Sequence, residues 1–401
     1  MNTRRQSKFV RLIHDFRFIA VIFILCVIVV SIQKMVHPGF NNNFTIFRMS
    51  FYHLLHHLNM YVPYPNEHND VFLYNPSFPI LFAPFAIPPI QVGIILWISF
   101  SAFLFFVSVR MLPIKDSSKV FIYYFSIIEL VTALERCQTN PMIAVIIILA
   151  FIAVEREQLF RATLFTNLGF FIKGYGAVTG IFYFLKKPKI SSFLLLAFWF
   201  IVIFALPLIF YSPKEIVTLY QQWLGSLSEK FDKNTLLDSH TGGDSIMCIL
   251  INMFQIPSSE IPAAIKYIEL SGYLIIILTT AYLALTKKYE FVKWYMLAYV
   301  LIWVIIFNHA SESSTYIVAI PGVAIWYLAS PRGFLEKTLL VITFILSVLS
   351  PTDIFDILIP KFKEEVIQRY ALKALGPSLI WIYIQISIFL PIKPVHNESG
   401  I

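Results

Sequence analysis

The segment FIAVIFILCVIVVSI, residues 18–32, carries no charged residue, and segments like it recur down the chain. A helix crosses the bilayer core with roughly 20 apolar residues, fewer where it ends inside protein, and on that length about twelve transmembrane or re-entrant spans are expected. After the first they fall near 77–110, 119–135, 141–154, 159–172, 174–185, 190–211, 264–286, 292–307, 315–331, 337–350 and 377–392. With 58% hydrophobic and 13% charged residues, against about 25% charged in a soluble domain, the chain is an all-α integral membrane protein. A net charge of +8 would suggest nucleic acid in a soluble protein. Here the basic residues sit in short loops between apolar segments, so they report topology and no nucleic-acid partner is expected.

Arg4, Arg5, Lys8, Arg11 and Arg17 precede the first span, and no small-residue cleavage site follows it. The reading is a retained signal-anchor helix with a cytoplasmic N-terminus. If odd spans run outward, the Lys- and Arg-bearing loops 110–119, 154–161, 186–189, 286–293 and 331–337 lie inside, and the long loops 37–76, 211–260 and 351–376 outside. The last contains Lys361, Lys363, Arg369 and Lys373, which fits an amphipathic helix on anionic headgroups. Pro79, Pro84, Pro88 and Pro89 interrupt the 77–90 stretch, and broken backbone at membrane depth needs protein or a wet cavity beside it. The whole chain, 1–401, reads as one polytopic membrane domain without the repeats of a transporter. Cys26, Cys137 and Cys248 show neither pairing nor metal-ligand spacing.

The polar island 41–76 lies between two apolar segments and is the first candidate for chemistry. Within NEHND, Glu67, His68 and Asp70 stand just before a Pro-rich re-entry, where a carboxylate can take the proton of an attacking hydroxyl. His53, His56 and His57 fit the exposed face of an interfacial helix instead. Lys173 interrupts TNLGFFIKGYGAV beside Gly169, Gly174 and Gly176. A cation beside open backbone suits a phosphate, and a snorkelling lysine is the plainer reading. In ERCQTNP, Arg136, Gln138 and Asn140 can donate to a sugar or phosphate, and Pro141 fits the first turn of a helix. In NHASESS, His309 and Glu312 are three apart, which puts them on one side of a helical turn; Ser313 or Ser314 would serve equally as an N-cap. Two such ligands do not make a metal site, and no cofactor is implied.

Taken in order, these stretches resemble glycosyltransferase family 87, the polyprenyl-phosphate-mannose-dependent membrane mannosyltransferases of the C-type fold, and within it a Bacteroidetes-like branch. The resemblance runs from about residue 20 to 331. NFTIFRMSFYHLLHHLNMY (43–61) matches the family's first-loop Asp-Phe, helix and Tyr, and YNP (74–76) its Tyr-x-Pro re-entry ahead of Trp97. CQTN (137–140) is similar to its Gly-Gln-x-Asn span opening, KGYGA (173–177) to its Lys step between short helices, and NHASESSTYIVAIPG (308–322) to its outward His motif. The family's first-loop Asp falls on Asn43, an amide that cannot accept a proton. Another carboxylate must serve, Asp70 first and Glu67 second.

The resemblance implies inverting transfer of a hexosyl group, mannosyl by expectation, from a polyprenyl-phosphate sugar to a glycan or glycolipid hydroxyl, at the outer face of the cell inner membrane and among its lipids. Asn43, Arg48, Tyr74, Arg136, Gln138, Asn140, Lys173, His309 and Glu312 are then the expected substrate-binding residues. A transporter or flippase of a lipid-linked saccharide would use the same charged cavity, and a non-catalytic family member is the reading that Asn43 favours. The topology predicts that a cysteine placed at His68 is labelled by a membrane-impermeant thiol reagent from the outer side; labelling only after the cytoplasmic side is opened would reverse every assignment above.

Overall fold

The computed structural model describes residues 8–37, 41–186, 190–236, 243–286, 288–350, 352, 359 and 361–390, and every regular element among them is helical. In chain order the α-helices are α1 (Lys8–Ile13), α2 (Phe16–Val36), α3 (Asn42–Leu55), α4 (Phe78–Ala86), α5 (Ile90–Met111), α6 (Asp116–Glu135), α7 (Asn140–Glu155), α8 (Leu159–Ile172), α9 (Gly180–Lys186) and α10 (Ile190–Phe204). They continue with α11 (Pro213–Leu236), α12 (Ile246–Phe254), α13 (Ile261–Thr286), α14 (Tyr289–Ile306), α15 (Ala319–Ala329), α16 (Phe334–Thr343) and α17 (Leu372–Phe389). Among the described residues six helices, α2, α5, α6, α13, α14 and α17, are long and apolar enough to cross a membrane. The shorter apolar helices α7, α8, α10 and α15 supply further expected crossings. The protein is therefore a multi-pass membrane protein.

Amphipathicity sorts the helices. In α14 every residue from Tyr295 to Ile306 is buried, and α15 is buried almost all round, the pattern of helices enclosed by other helices. Gly322 lets these two approach, because a Cβ there would stand 2.8 Å from the Cβ of Leu301. By contrast α2 and α13 expose Val21, Ile24, Leu25, Ile277 and Leu278, apolar faces of the kind a bilayer covers.

The expected 77–110 span is two helices. Pro79 occupies the first turn of α4, where its missing N–H costs nothing, and α4 runs for nine residues with Pro84 inside it. The expected 174–185 span is a 3₁₀ turn, Gly174–Thr179, followed by the short α9. A 3₁₀ turn rises about 2.0 Å per residue against about 1.5 Å in an α-helix, which lets so short a segment return across the bundle. Its far end carries Lys186, whose Nζ donates to the Glu155 carbonyl at 2.7 Å, while Lys293 Nζ donates to Glu155 Oε2 at 2.9 Å and Arg156 reaches the Met111 carbonyl. Loops that the charge bias groups on one side thus meet at one end of the bundle.

The segment expected as an interfacial helix at 351–376 divides differently. Residues 351, 353–358 and 360 lie outside the described residues. Residues Lys363–Gln368 form a π-helical turn, and α17 starts at Leu372, ahead of the expected 377. Lys373 does not reach headgroups: it is 1% exposed, and its Nζ donates to Glu129 Oε1 at 2.9 Å, Glu129 Oε2 at 3.0 Å and Ser313 Oγ at 2.8 Å. A lysine has three donors, and all are used, with the Tyr316 ring face 4.8 Å away.

Removing one member of a buried pair strands the other charge at a cost of about 3–5 kcal/mol, whereas replacing both by apolar groups is close to neutral. Lys373→Met is therefore expected to lower the unfolding midpoint of the detergent-solubilised protein sharply, and Glu129→Leu added to it to recover most of the loss; equal midpoints for the single variant and wild type would refute the coupling.

Candidate functional site

The turn between α6 and α7 organises the end of the bundle opposite Glu155. Cys137 takes φ 50°, a left-handed conformation, and the N–H groups of Cys137 and Gln138 fold back onto the carbonyls of Leu134 and Ala133. That closes α6 in the manner of a left-handed C-cap and allows α7 to begin within a few residues, with Pro141 in its first turn as expected. Thr139 and Asn140 are fully buried. Asn140 bridges two other parts of the chain: its Nδ2 donates to the Ser314 carbonyl at 3.1 Å, and its Oδ1 accepts from Lys173 Nζ at 2.7 Å. Thr139 Oγ1 shares a 2.9 Å hydrogen bond with the Tyr74 hydroxyl.

Lys173 follows α8 in extended backbone, φ −145°, ahead of the 3₁₀ turn. The flanking glycines divide in role. A Cβ on Gly176 would lie 2.5 Å from the backbone of Gly169, so these two exist to bring chain against chain; Gly174 faces open space. The ammonium stands 5.9 Å from the ring centroids of both Tyr74 and Tyr175, near the outer limit for a cation–π contact. The Tyr175 hydroxyl is buried with no hydrogen-bond partner in the protein. A lysine that spends one donor on Asn140 keeps two for an anionic ligand, and the tyrosines give that ligand flat walls.

Of the residues singled out from sequence, Asn43, Tyr74, Arg136, Asn140, Lys173 and the 308–322 stretch converge here. Asn43 Nδ2 donates to the Arg136 carbonyl at 2.8 Å, so this amide holds the turn. The Arg136 side chain is exposed and Gln138 half-buried. Arg48 donates through Nε to the Ala86 carbonyl and through Nη2 to the Tyr52 hydroxyl, bracing the end of α4.

His309 and Glu312 do not share a helical face, because the chain turns at 308–312 and α15 starts only at Ala319; Ser313 and Ser314 therefore cap no α-helix. His309 Nδ1 meets Glu269 Oε1 at 2.5 Å, and its ring packs edge-on against Phe231. Glu312 is exposed, and its charge acts on Lys173, Tyr74 and Tyr175.

The acidic loop 67–70 is gripped by other elements. Lys230 of α11 pairs with Asp70 at 3.0 Å, and Trp223 Nε1 donates to the Leu73 carbonyl at 3.0 Å. Glu67 Oε2 lies 2.9 Å from His53 Nε2. His53, expected on an exposed face, is 3% exposed and stacked on Tyr64 with ring centroids 3.9 Å apart. The reason is that α3 packs Phe44, Phe47, Phe51 and Leu54 into the protein and turns His53 with them, leaving His56 and His57 outside. His68 is buried too, with Nδ1 lacking a protein partner.

Sequence reasoning gave Lys373 to headgroups and Ser313 to a helix cap, and passed over Lys230, Glu269 and Asp244. Tyr316 donates to the Asp244 carbonyl at 2.8 Å, and the Asp244 N–H to that of Ser311 at 2.8 Å. The TGGDS run of the second long loop held a usable signal: Gly243 has φ +59° and a Cβ there would meet the Ser311 carbonyl.

Comparison with known families matches residues 72–351 of the chain to Glycosyltransferase family 87, a stretch holding Tyr74, Asn140, Lys173, Glu312 and Ser314. No curated protein matches the chain.

Burial holds the His53 imidazole below its ordinary value of 6.5, against the opposing pull of the Glu67 carboxylate. The unfolded chain therefore binds the proton more readily than the fold does, and stability contributed by neutral His53 falls as pH drops below about 6.5. Comparing unfolding midpoints from about pH 8 to about pH 5, His53→Gln should flatten this decline relative to wild type; identical pH profiles would show that folding leaves the proton affinity of His53 unchanged.

Proposed function

The chain belongs to glycosyltransferase family 87, and on that premise we propose that it moves a hexosyl group, mannosyl in our reading, from a polyprenyl-phosphate sugar to a hydroxyl of a glycan or glycolipid. The proposed setting is the outer face of the cell inner membrane, with the N-terminus cytoplasmic. The observation that carries this reading is Lys173: an ammonium held by buried Asn140 between two tyrosine rings. It suits the phosphate that departs from such a donor.

In the proposed step the acceptor oxygen attacks the anomeric carbon opposite the phosphate. The new C–O bond forms as the bond to the phosphate oxygen breaks, giving inversion in a single displacement. Polyprenyl phosphate leaves with the bonding electron pair, and the acceptor proton passes to a carboxylate. The leaving group needs its charge stabilised more than it needs an acid, and a preoriented cation in a partly dry site supplies that. Asn140 fixes Lys173, while Thr139 fixes the Tyr74 hydroxyl against the sugar. Asp70 is the proposed base, with Glu67 second. To act, Asp70 must exchange its contact with Lys230 for the acceptor hydroxyl, a surface pair that costs little to open. Glu312 is a second reading for the base, favoured by its exposure and by its charge acting on Lys173.

The test is transfer of a labelled sugar from its polyprenyl phosphate in membranes containing the protein. Lys173→Ala is expected to reduce transfer by about 10²–10³. Whichever of Asp70→Asn, Glu67→Gln and Glu312→Gln removes the base should cost about 10²–10⁴ while donor binding persists. Full activity of Lys173→Ala would refute the site, and donor translocation without transfer would establish the transporter reading instead.

A further inference from the structure

Helix α11 has three flanks of different chemistry. It is not among the helices apolar enough to cross a membrane, because Lys214, Glu215, Glu229, Lys230 and Asp232 charge it at both ends. At about 100° per residue, Ile216, Leu219, Trp223, Ser226 and Lys230 share one flank, and this is the flank turned to the protein. From it Trp223 Nε1 donates to the Leu73 carbonyl at 3.0 Å and Lys230 pairs with Asp70 at 3.0 Å, while the Tyr220 hydroxyl donates to Asn75 Oδ1 at 3.3 Å. The helix thus grips the 70–75 segment that carries Tyr74 to Lys173.

The second flank is apolar. Val217, Tyr220, Leu224, Leu227 and Phe231 recur at spacings of three and four, which places them within about 80° of the helix surface. Val217 and Leu224 are 56% and 59% exposed, and Leu227 is exposed beside them. Lys214, Thr218, Gln221, Ser228 and Glu229, all exposed, make a third and polar flank.

What covers the apolar flank follows from its neighbour. The apolar helix α10 exposes Phe198, Ile201 and Phe204, and the 3₁₀ turn Leu206–Ile209 after it exposes Leu208 and Ile209. The Phe204 ring stacks on Tyr220 with centroids 4.2 Å apart, and the Tyr220 hydroxyl also meets the Phe204 carbonyl at 3.1 Å. The surface that α10 presents to lipid therefore continues onto α11, at a level where Tyr and Trp are favoured because one end of the ring is apolar and the other wet.

We infer that α11 lies in the bilayer interface, with Val217, Leu224 and Leu227 sunk to the boundary between headgroups and acyl chains and the Thr218 and Glu229 flank in water. The partner of this surface is lipid. Through Tyr220, Trp223 and Lys230 the helix then sets the 70–75 segment at headgroup depth. The placement does not rest on the transfer reaction.

The full-length protein is placed in phosphatidylcholine nanodiscs with a fluorophore on a cysteine introduced by Val217→Cys, Thr218→Cys, Leu224→Cys or Glu229→Cys. Quenching by lipid brominated near the top of its acyl chains is compared with quenching by iodide in the water. The native cysteines are buried or half-buried, and the wild-type signal is subtracted. All four positions are exposed, so the variants should keep the wild-type unfolding midpoint. Labels at 217 and 224 should be quenched several-fold more by brominated lipid than labels at 218 and 229, and iodide should reverse the order. Equal ratios at the four positions, or iodide quenching strongest at 224, would overturn the placement. Shielding of 224 from both quenchers would overturn it in favour of a protein partner.

Discussion

The contact on which the rest of the structure depends is Lys373 against Glu129. Both side chains are buried, at 1% exposure each, in a protein whose surroundings offer no water to replace a lost partner. The pair joins α17 to α6, and through Ser313 it also pins the irregular chain between α14 and α15. That chain has few regular hydrogen bonds of its own, and exposed irregular backbone is not tolerated at membrane depth. It is held from one side by Lys373 and from the other by Asn140, which donates to the next residue's carbonyl. Lys173 takes its place from the same Asn140. The position of the proposed phosphate-binding ammonium is thus inherited, one contact at a time, from an ion pair that touches no substrate.

Much of this was legible in the sequence because the bilayer imposes a coarse rule. Apolar lengths located the helices, and the loops grouped by charge meet at one end, as Lys186, Lys293 and Arg156 show. The order of YNP, CQTN, KGYGA and NHASESS marked stretches that the fold brings together around Asn140. What the sequence did not disclose was partner choice. Lys373 stood among other basic residues of a long loop, and nothing local distinguishes a lysine bound for a headgroup from one bound for a glutamate 244 residues away. His53 misled for a related reason: its exposure depends on how α3 rolls against α4, which the Phe residues decide. The spacing of His309 and Glu312 assumed a helix where the chain turns.

Asn43, the amide that the sequence sets where the resemblance leads one to expect an acid, has a job in the fold. An amide can donate to the Arg136 carbonyl, as this one does; a carboxylate at the same place would repel it. Asn43 is therefore a brace on the turn that carries Asn140. Asp70 and Glu312, by contrast, are exposed and on non-helical chain.

The long separation of Glu129 from Lys373 has a further meaning during synthesis. The chain emerges from its N-terminus, so α6 enters the bilayer long before α17 exists. Until then Glu129 has no counter-ion, and a lone carboxyl in hydrocarbon is held neutral or kept near water. The arrival of α17 thus delivers both the charge that Glu129 awaits and the donor that fixes Ser313. A chain cut short before α17 would have neither contact, and the 311–316 turn would lose its hold on that side.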